Sequence, residues 1–168
     1  MPIDIQEKNL SFCFEFDAIK FDDSQYYRDH FVKIQNGISA VDILAVNGNI
    51  GYFIEIKDYT HPDTKKLKLN DLIDAVANKV ISSLSAILPM KINAGIPIEK
   101  ELATLFSKTN EIKVFLHLEL PPPKSKLEQS TWDFQTVQMK LKNRLKPIDA
   151  HPKVVCKKYP NRFPWTTG

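Results

Sequence analysis

The sequence predicts an α/β fold in which a central mixed β-sheet is flanked by helices. Three observations support this prediction. Two β-rich runs within residues 40–57 flank Asn47-Gly48-Asn49, a strong hairpin signal. A clear helical periodicity of apolar residues follows at 67–88, and a strand pattern follows at 112–120. A hairpin, a helix and a strand in this order are typical of an α/β sandwich with a mixed sheet.

The remaining elements are predicted from alternation, capping residues and proline. Pro89 is expected to end the long helix, because proline lacks the backbone N–H that a helix needs. Further elements are expected as follows: a strand over 10–16, a short helix over 24–31 capped by Ser24, a helix over 98–106, a helix over 130–145 with Ser130 and Asp133 as a capping box, and a strand over 153–159.

Length and composition indicate one domain over residues 1–168. Its core is expected at about 12–120, followed by a C-terminal helix and a basic strand or tail at about 130–168. The chain is 43% hydrophobic and 26% charged, which is ordinary for a globular protein. It shows no signal-peptide pattern and no run of the ~18 apolar residues that a membrane span needs. Cys13 and Cys156 lack metal-ligand spacing, so a cytoplasmic protein with inert thiols is expected.

Charge is distributed unevenly along the chain. Residues 140–162 contain eight lysines and arginines but one acidic residue, Asp149. Such a basic segment suits phosphate binding, although lysines on a helix are more often a solvated face. The predicted nucleic-acid contacts are Lys142, Arg144, Lys157, Lys158 and Arg162.

Aromatic residues interleave with these cations near the C-terminus, at Tyr159, Phe163 and Trp165. This pattern suits bases that stack beside phosphate contacts. A tail that packs its aromatic side chains onto the core explains the pattern equally well.

Three charged residues of the predicted hairpin, Asp42, Glu55 and Lys57, are expected on one face of the sheet. If Gly48 and Asn49 form the turn, Asp42 lies directly opposite Glu55. If Asn47 and Gly48 form it, Asp42 is diagonal to Glu55. Side chains alternate faces, so Lys57 joins Glu55 in either register. Paired β-carbons lie about 4.5–5.5 Å apart and diagonal ones roughly 7–8 Å, so two carboxylates can share one divalent cation.

The apolar residues of the hairpin divide between the two faces in the same way. Leu44, Val46 and Phe53 share the face of the charges, and the opposite face carries Ile43, Ala45, Ile54 and Ile56. Strands that are apolar on both faces belong in the middle of a covered sheet. Buried carboxylates need a metal or a counter-ion there, so a metal site and a purely structural ion cluster are the two interpretations.

The residues Val41-Asp42-Ile43-Leu44 and Ile54-Glu55-Ile56-Lys57-Asp58-Tyr59 resemble the PD-(D/E)xK nuclease superfamily, which has a restriction-endonuclease-like fold. A wider run, from residues 20–23 through 55–59 to 146–149, is similar to bacterial members of that superfamily. Val41 stands where many members have proline. Many members also bring an acidic residue from upstream, for which Glu15, Asp22 and Asp23 are the candidates in this chain.

The resemblance implies a Mg²⁺-dependent nuclease, with Mn²⁺ able to substitute. Asp42, Glu55 and the carbonyl of Ile56 would bind the ion, and Lys57 would position the attacking water. The resemblance favours DNA over RNA as the partner, and a cutter of duplex DNA is expected to form a homodimer. No membrane partner is expected. The alternative is a catalytically inactive nuclease-fold module that binds nucleic acid or a protein.

Two further groups of polar residues are interpreted as structural. His117 and Glu119 share a face of the strand at 112–120, where a metal pair is conceivable but a half-exposed strand is the favoured interpretation. Asp74, Asn78 and Lys79 are assigned to a solvated face of the long helix.

Overall fold

A computed structural model of the chain describes residues 1–34, 37–122, 132–159 and 162–168. The predicted α/β fold with a mixed central sheet is confirmed. The sheet consists, in spatial order, of β3 (Asp17–Lys20), β4 (Ile43–Asn47), β5 (Ile50–Asp58), β6 (Glu111–Glu119) and β7 (Lys153–Val155). The pairs β3–β4 and β4–β5 are antiparallel, whereas β5–β6 and β6–β7 are parallel.

Helices and a second, smaller sheet cover the two faces of the central sheet. The helices are α1 (Gln25–Asp29), α2 (Leu69–Asn93), α3 (Pro97–Phe106) and α4 (Phe134–Leu145). The small sheet consists, in spatial order, of β1 (Ile3–Glu7), β2 (Leu10–Phe14) and β8 (Thr166–Thr167). Apolar residues of α2, α3 and α4 pack on one face, and those of β1 and β2 pack on the other.

The side chains of the hairpin alternate between these two cores as predicted. Leu44, Val46 and Phe53 lie in the core beneath the helices. The opposite core, between the two sheets, contains Ile43, Ala45, Ile54 and Ile56. The face that carries the charged residues is therefore the face that α2 covers.

The turn of the hairpin is formed by Gly48 and Asn49, which settles its register. Asn47 pairs with Ile50, and Ile43 pairs with Ile54. Gly48 has φ of 57°, a left-handed conformation that glycine adopts without strain. The register, continued by one residue beyond β4, sets Asp42 opposite Glu55.

The structure corrects the predicted end of α2. The helix continues through Pro89 to Asn93. Met90 beyond the proline is 0% exposed and Ala86 before it is 1% exposed, so packing on both sides supports a helix that lacks one N–H donor.

Two boundaries near the C-terminus also differ from prediction. Asp133 caps α4 by accepting a hydrogen bond from the N–H of Thr136 at 3.1 Å, while Ser130 lies outside the described residues. The strand β7 ends at Val155 rather than at 159. The N–H of Lys157 binds the carboxylate of Glu119 at 2.7 Å, which draws the chain out of the strand ladder.

The helix α2 is long and apolar enough, by length and composition, to cross a membrane. Of its most apolar window, 44% is buried inside the domain. Four apolar residues of this helix form an exposed stripe: Ile81, Leu84, Leu88 and Ile92. The expected lack of a membrane partner stays a prediction.

Candidate functional sites

Four charged side chains on the helix-covered face form what we call the acid–lysine cluster: Asp42, Glu55, Lys57 and Lys79. The Nζ of Lys79 lies 2.7 and 2.9 Å from the two carboxylate oxygens of Glu55, and 3.5 Å from Oδ1 of Asp42. The Nζ of Lys57 lies 2.8 Å from Oε1 of Glu55. The backbone N–H of Ile56 donates to Oδ2 of Asp42 at 2.5 Å. The three predicted residues therefore meet, and a fourth residue joins them.

Lys79 is the member that sequence reasoning missed, because the polar residues of α2 were assigned to solvent. Its side chain is 19% exposed and reaches down from α2 onto the sheet. The sequence does contain a signal: Lys79 lies at helical spacing on the stripe formed by Leu72, Val76 and Ser83, all of which are buried. A lysine on the buried stripe of a helix indicates a buried acidic partner.

Burial dominates the electrostatics of Asp42. Burial, followed by the charge of Glu55, raises the pKa of Asp42 to about 7, although Lys79, the N–H of Ile56 and Lys57 all act in the opposite direction. Burial disfavours the charged form of Lys79, but the charges of Glu55 and Asp42 outweigh it and raise the pKa of that lysine. Two carboxylates and two ammonium groups leave the ionised cluster neutral overall.

Asp22 is the upstream candidate that lies close enough to influence this cluster. Burial, followed by the charge of Asp42, raises the pKa of Asp22 to about 6. Its Oδ1 is buried and has no hydrogen-bond partner among the described residues. Glu15 is exposed, and Asp23 forms an ion pair with Lys20 at 2.9 Å.

The prediction that Mg²⁺ binds Asp42, Glu55 and Ile56 stays a prediction. Carboxylates are the ligands that this ion prefers, but the ammonium group of Lys79 lies between the two acids. In the described part of the chain, no three histidine, cysteine or acidic side chains are grouped so that they could hold a metal. A divalent ion would have to displace Lys79 from Glu55, whose side chain is 0% exposed.

A second candidate site, which we call the aromatic groove, extends from the carboxyl ends of β6 and β7 along α4 to the residues that begin β7. It consists of two cavities of about 670 and 430 Å³ that share Phe134, Gln135 and Arg162. Trp132 and Tyr159 line the larger cavity. In sheets with parallel strands, ligands commonly bind beyond the carboxyl ends of those strands.

Three of the five predicted nucleic-acid contacts line the groove. These are Lys142 in the smaller cavity, Lys158 in the larger one and Arg162 in both. Arg144 lies elsewhere on α4, where its Nε is 2.8 Å from Oδ1 of Asp74. The side chain of Lys157 is exposed next to the groove. Nucleic-acid binding by all five residues stays a prediction.

Tyr159 is the exposed aromatic residue of the C-terminal segment. It is 43% exposed, with the Nζ of Lys158 at 5.7 Å and the Cζ of Arg162 at 4.9 Å from its ring centroid. Phe163 and Trp165 are buried in the core between the two sheets. The tail therefore packs two aromatic residues inward and leaves one beside the aromatic groove.

His117 and Glu119 are buried rather than half-exposed, which corrects the interpretation from sequence. His117 is 0% exposed and packs edge-on against Phe12 at 5.0 Å between ring centroids. Its Nε2 lies 2.8 Å from Oε1 of Glu119, and that oxygen also accepts the N–H of Lys157. Glu119 lines the larger cavity of the aromatic groove.

Comparison with known proteins gives one informative relationship. The cysteine–tRNA ligase of Neisseria meningitidis serogroup A / serotype 4A (strain DSM 15465 / Z2491) is 31% identical to this chain over 172 aligned positions. The alignment covers 84% of this chain and 24% of that protein, so the chain spans about a quarter of the length of its relative. No family model and no solved structure matches the chain.

This relationship contradicts the prediction of a Mg²⁺-dependent nuclease. It points to a region related to a tRNA synthetase rather than to a nuclease, so the nuclease assignment is wrong. The pattern of Asp42, Glu55 and Lys57 is short, and Lys79 satisfies both acids by ion pairing. Three points stay predictions: the resemblance to the PD-(D/E)xK superfamily, a catalytic role for these residues, and the formation of a homodimer.

Proposed function

We propose that this chain is an accessory tRNA-binding domain that holds an unpaired stretch of tRNA in the aromatic groove. The observation that carries the proposal is the set of exposed cations around Tyr159 at the carboxyl ends of β6 and β7. Aromatic rings beside lysines and arginines are the combination with which proteins bind single-stranded nucleic acid.

The choice of tRNA rests on the relative. Its name states that it ligates cysteine to tRNA, and its aligned portion covers most of this chain. The chain corresponds to about a quarter of that protein, so we assign it tRNA binding and not the ligation reaction. The proposal includes a cytoplasmic location, with which the two free cysteines agree.

The acid–lysine cluster has a structural role in this proposal. Its carboxylates are satisfied by Lys57, Lys79 and the N–H of Ile56, so the cluster joins α2 to the hairpin without a ligand. The cluster lies on the helix-covered face of the central sheet. Lys57 and Asp58 are neighbours on β5, so their side chains point to opposite faces, and Asp58 pairs with Glu119. Glu119 therefore lies on the face opposite the cluster.

The proposal is tested by the affinity for fluorescently labelled bulk tRNA, measured by fluorescence anisotropy. The groove variant combines Lys142→Ala, Lys158→Ala and Arg162→Ala. Loss of three phosphate contacts should weaken binding at least about tenfold and reduce the slope of log affinity against log salt by about 2. A duplex DNA of similar length should bind wild type more weakly than tRNA does.

A matched control removes the same charge from the opposite end of the molecule. It combines Lys91→Ala, Lys100→Ala and Lys108→Ala, which lie at the end of α2, on α3 and before β6. Its affinity for tRNA should stay within about twofold of wild type. Equal losses of tRNA affinity in the groove variant and the control variant would show that binding depends on net charge alone, which would contradict binding in the aromatic groove. Binding of tRNA to wild type that is too weak to measure would overturn the proposal.

A further inference from the structure

The carboxylate of Glu119 occupies an unusual position for a surface that binds a polyanion. Glu119 is the last residue of β6, its side chain is 11% exposed, and it lines the larger cavity of the aromatic groove. Lys158 and Arg162 line the same cavity, and so does a second acid, Asp133, whose carboxylate caps α4. An acid at this place weakens the attraction for phosphate and offers an acceptor to a hydrogen-bond donor of a ligand.

The orientation of this carboxylate is fixed. Its Oε1 accepts hydrogen bonds from Nε2 of His117 at 2.8 Å and from the N–H of Lys157 at 2.7 Å. Among the residues that the structure describes, Oε2 has no hydrogen-bond donor. One oxygen is therefore held, and the other is free to accept a hydrogen bond from a ligand in the cavity.

His117 acts as a positioning residue for Glu119. It is completely buried, with its ring 5.0 Å from Phe12 and 6.0 Å from Phe163. Its Nδ1 is buried and has no partner among the described residues. A ring with hydrogen on Nε2 and none on Nδ1 accounts for this, because Nδ1 then carries a lone pair and no donor is left unsatisfied. The rings on either side prevent the imidazole from turning away.

The dimensions of the cavity suit one nucleotide. Its volume of about 670 Å³ lies within the range of small-ligand pockets. Lys158 and Arg162 lie over the ring of Tyr159, within 6 Å of its centroid, so a base that stacks on this ring takes the place of a cation, which can then reach the phosphate. Glu119 lines the same cavity and offers an acceptor to the hydrogen-bonding edge of a base bound there.

We propose that Glu119 reads this edge and selects an unpaired base with an exocyclic amino group, such as cytosine, over uracil. This inference rests on the proposed function. A carboxylate accepts hydrogen bonds and cannot donate them. Cytosine presents an amino donor at the position where uracil presents the acceptor O4, and the two pyrimidines are otherwise alike in size. A fixed acceptor therefore attracts one and repels the other.

The test compares the affinities of oligocytidylate and oligouridylate decamers for the whole protein at one fixed salt concentration. Fluorescence anisotropy should show that wild type binds the cytidylate about tenfold more tightly. In Glu119→Gln the preference should be lost or reversed, because the amide oxygen takes the position held by His117 and Lys157 and the NH₂ group that meets the base donates to O4 of uracil. His117→Phe should reduce the preference while it leaves the affinity for oligouridylate within about twofold.

The outcomes separate this inference from the proposed function. If tRNA and both decamers bind but wild type does not distinguish cytidylate from uridylate, base selection by Glu119 is overturned and tRNA binding stands. If tRNA and both decamers fail to bind, both proposals are overturned. The wild-type comparison needs no variant, so it remains decisive even where a substitution at Glu119 unfolds the protein, which circular dichroism would detect.

Discussion

Replacing Asp42 with asparagine tests whether the acid–lysine cluster favours a neutral side chain at this position. Burial and the charge of Glu55 raise the pKa of Asp42 from 3.8 to about 7. Asparagine resembles the protonated acid, and its side-chain oxygen can still accept the N–H of Ile56. The substitution should therefore remove the cost of an ionised carboxylate and keep the contact with the hairpin.

The direction of the pH dependence follows from the raised pKa of Asp42. Between its unfolded pKa of 3.8 and its folded pKa of about 7, the folded state binds more protons at Asp42 than the unfolded state. The stability contributed by this group is therefore lost as pH rises through that window. One pKa unit corresponds to about 1.4 kcal/mol, so the advantage of Asp42→Asn over wild type should grow by about 2–3 kcal/mol between pH 5 and pH 8.

Urea denaturation at several pH values between 5 and 8 gives the free energies of unfolding for this comparison. The control is Asp29→Asn, at an exposed residue of α1, and it should match wild type at every pH. An advantage of Asp42→Asn that is constant with pH, or that grows towards acid, would refute the account of the cluster.

Three further predictions concern the cluster and the packing of the sheet. Lys79→Met should lower the free energy of unfolding by about 2–3 kcal/mol and Lys57→Met by about 1 kcal/mol. Lys79 contacts both acids and Lys57 contacts Glu55, and the loss of a buried partner leaves an acid uncompensated. Equal losses of unfolding free energy in the two variants, measured by urea denaturation, would contradict this. If Mg²⁺ binds the cluster, millimolar Mg²⁺ should raise the Tm of Lys79→Met more than that of wild type, and unchanged Tm values in both would refute the metal prediction. Gly51→Ala should destabilise the fold by about 1–3 kcal/mol, since its new Cβ would lie 2.6 Å from the ring of Phe106, whereas Gly95→Ala meets nothing within 4 Å and should stay within about 1 kcal/mol of wild type.

The hairpin shows how much of this structure follows from local sequence. The Asn47-Gly48-Asn49 signal identified the turn, and the period of two assigned Phe53 and Ile54 to the two opposite cores before either core was known. Those rules depend on neighbours along the chain, so the sequence contains enough information to apply them.

Features that depend on distant contacts were not predictable in the same way. Strand β8 has two residues and is defined by its pairing with β2, so it has no periodicity of its own. Lys79 was assigned to solvent because its partners, Asp42 and Glu55, lie 37 and 24 positions away in the chain. The aromatic groove combines segments near Glu119, Trp132 and Tyr159, and no local pattern reports that they converge.

The most direct test of tRNA binding in the aromatic groove is a titration of ¹⁵N-labelled protein with bulk tRNA, followed by NMR. The account predicts that perturbed amides cluster at 118–120, 132–142, 156–159 and 162, with Tyr159 and Arg162 among the largest changes. Perturbations centred instead on the hairpin around Asp42 and Glu55, or none at tRNA concentrations where the anisotropy saturates, would contradict it.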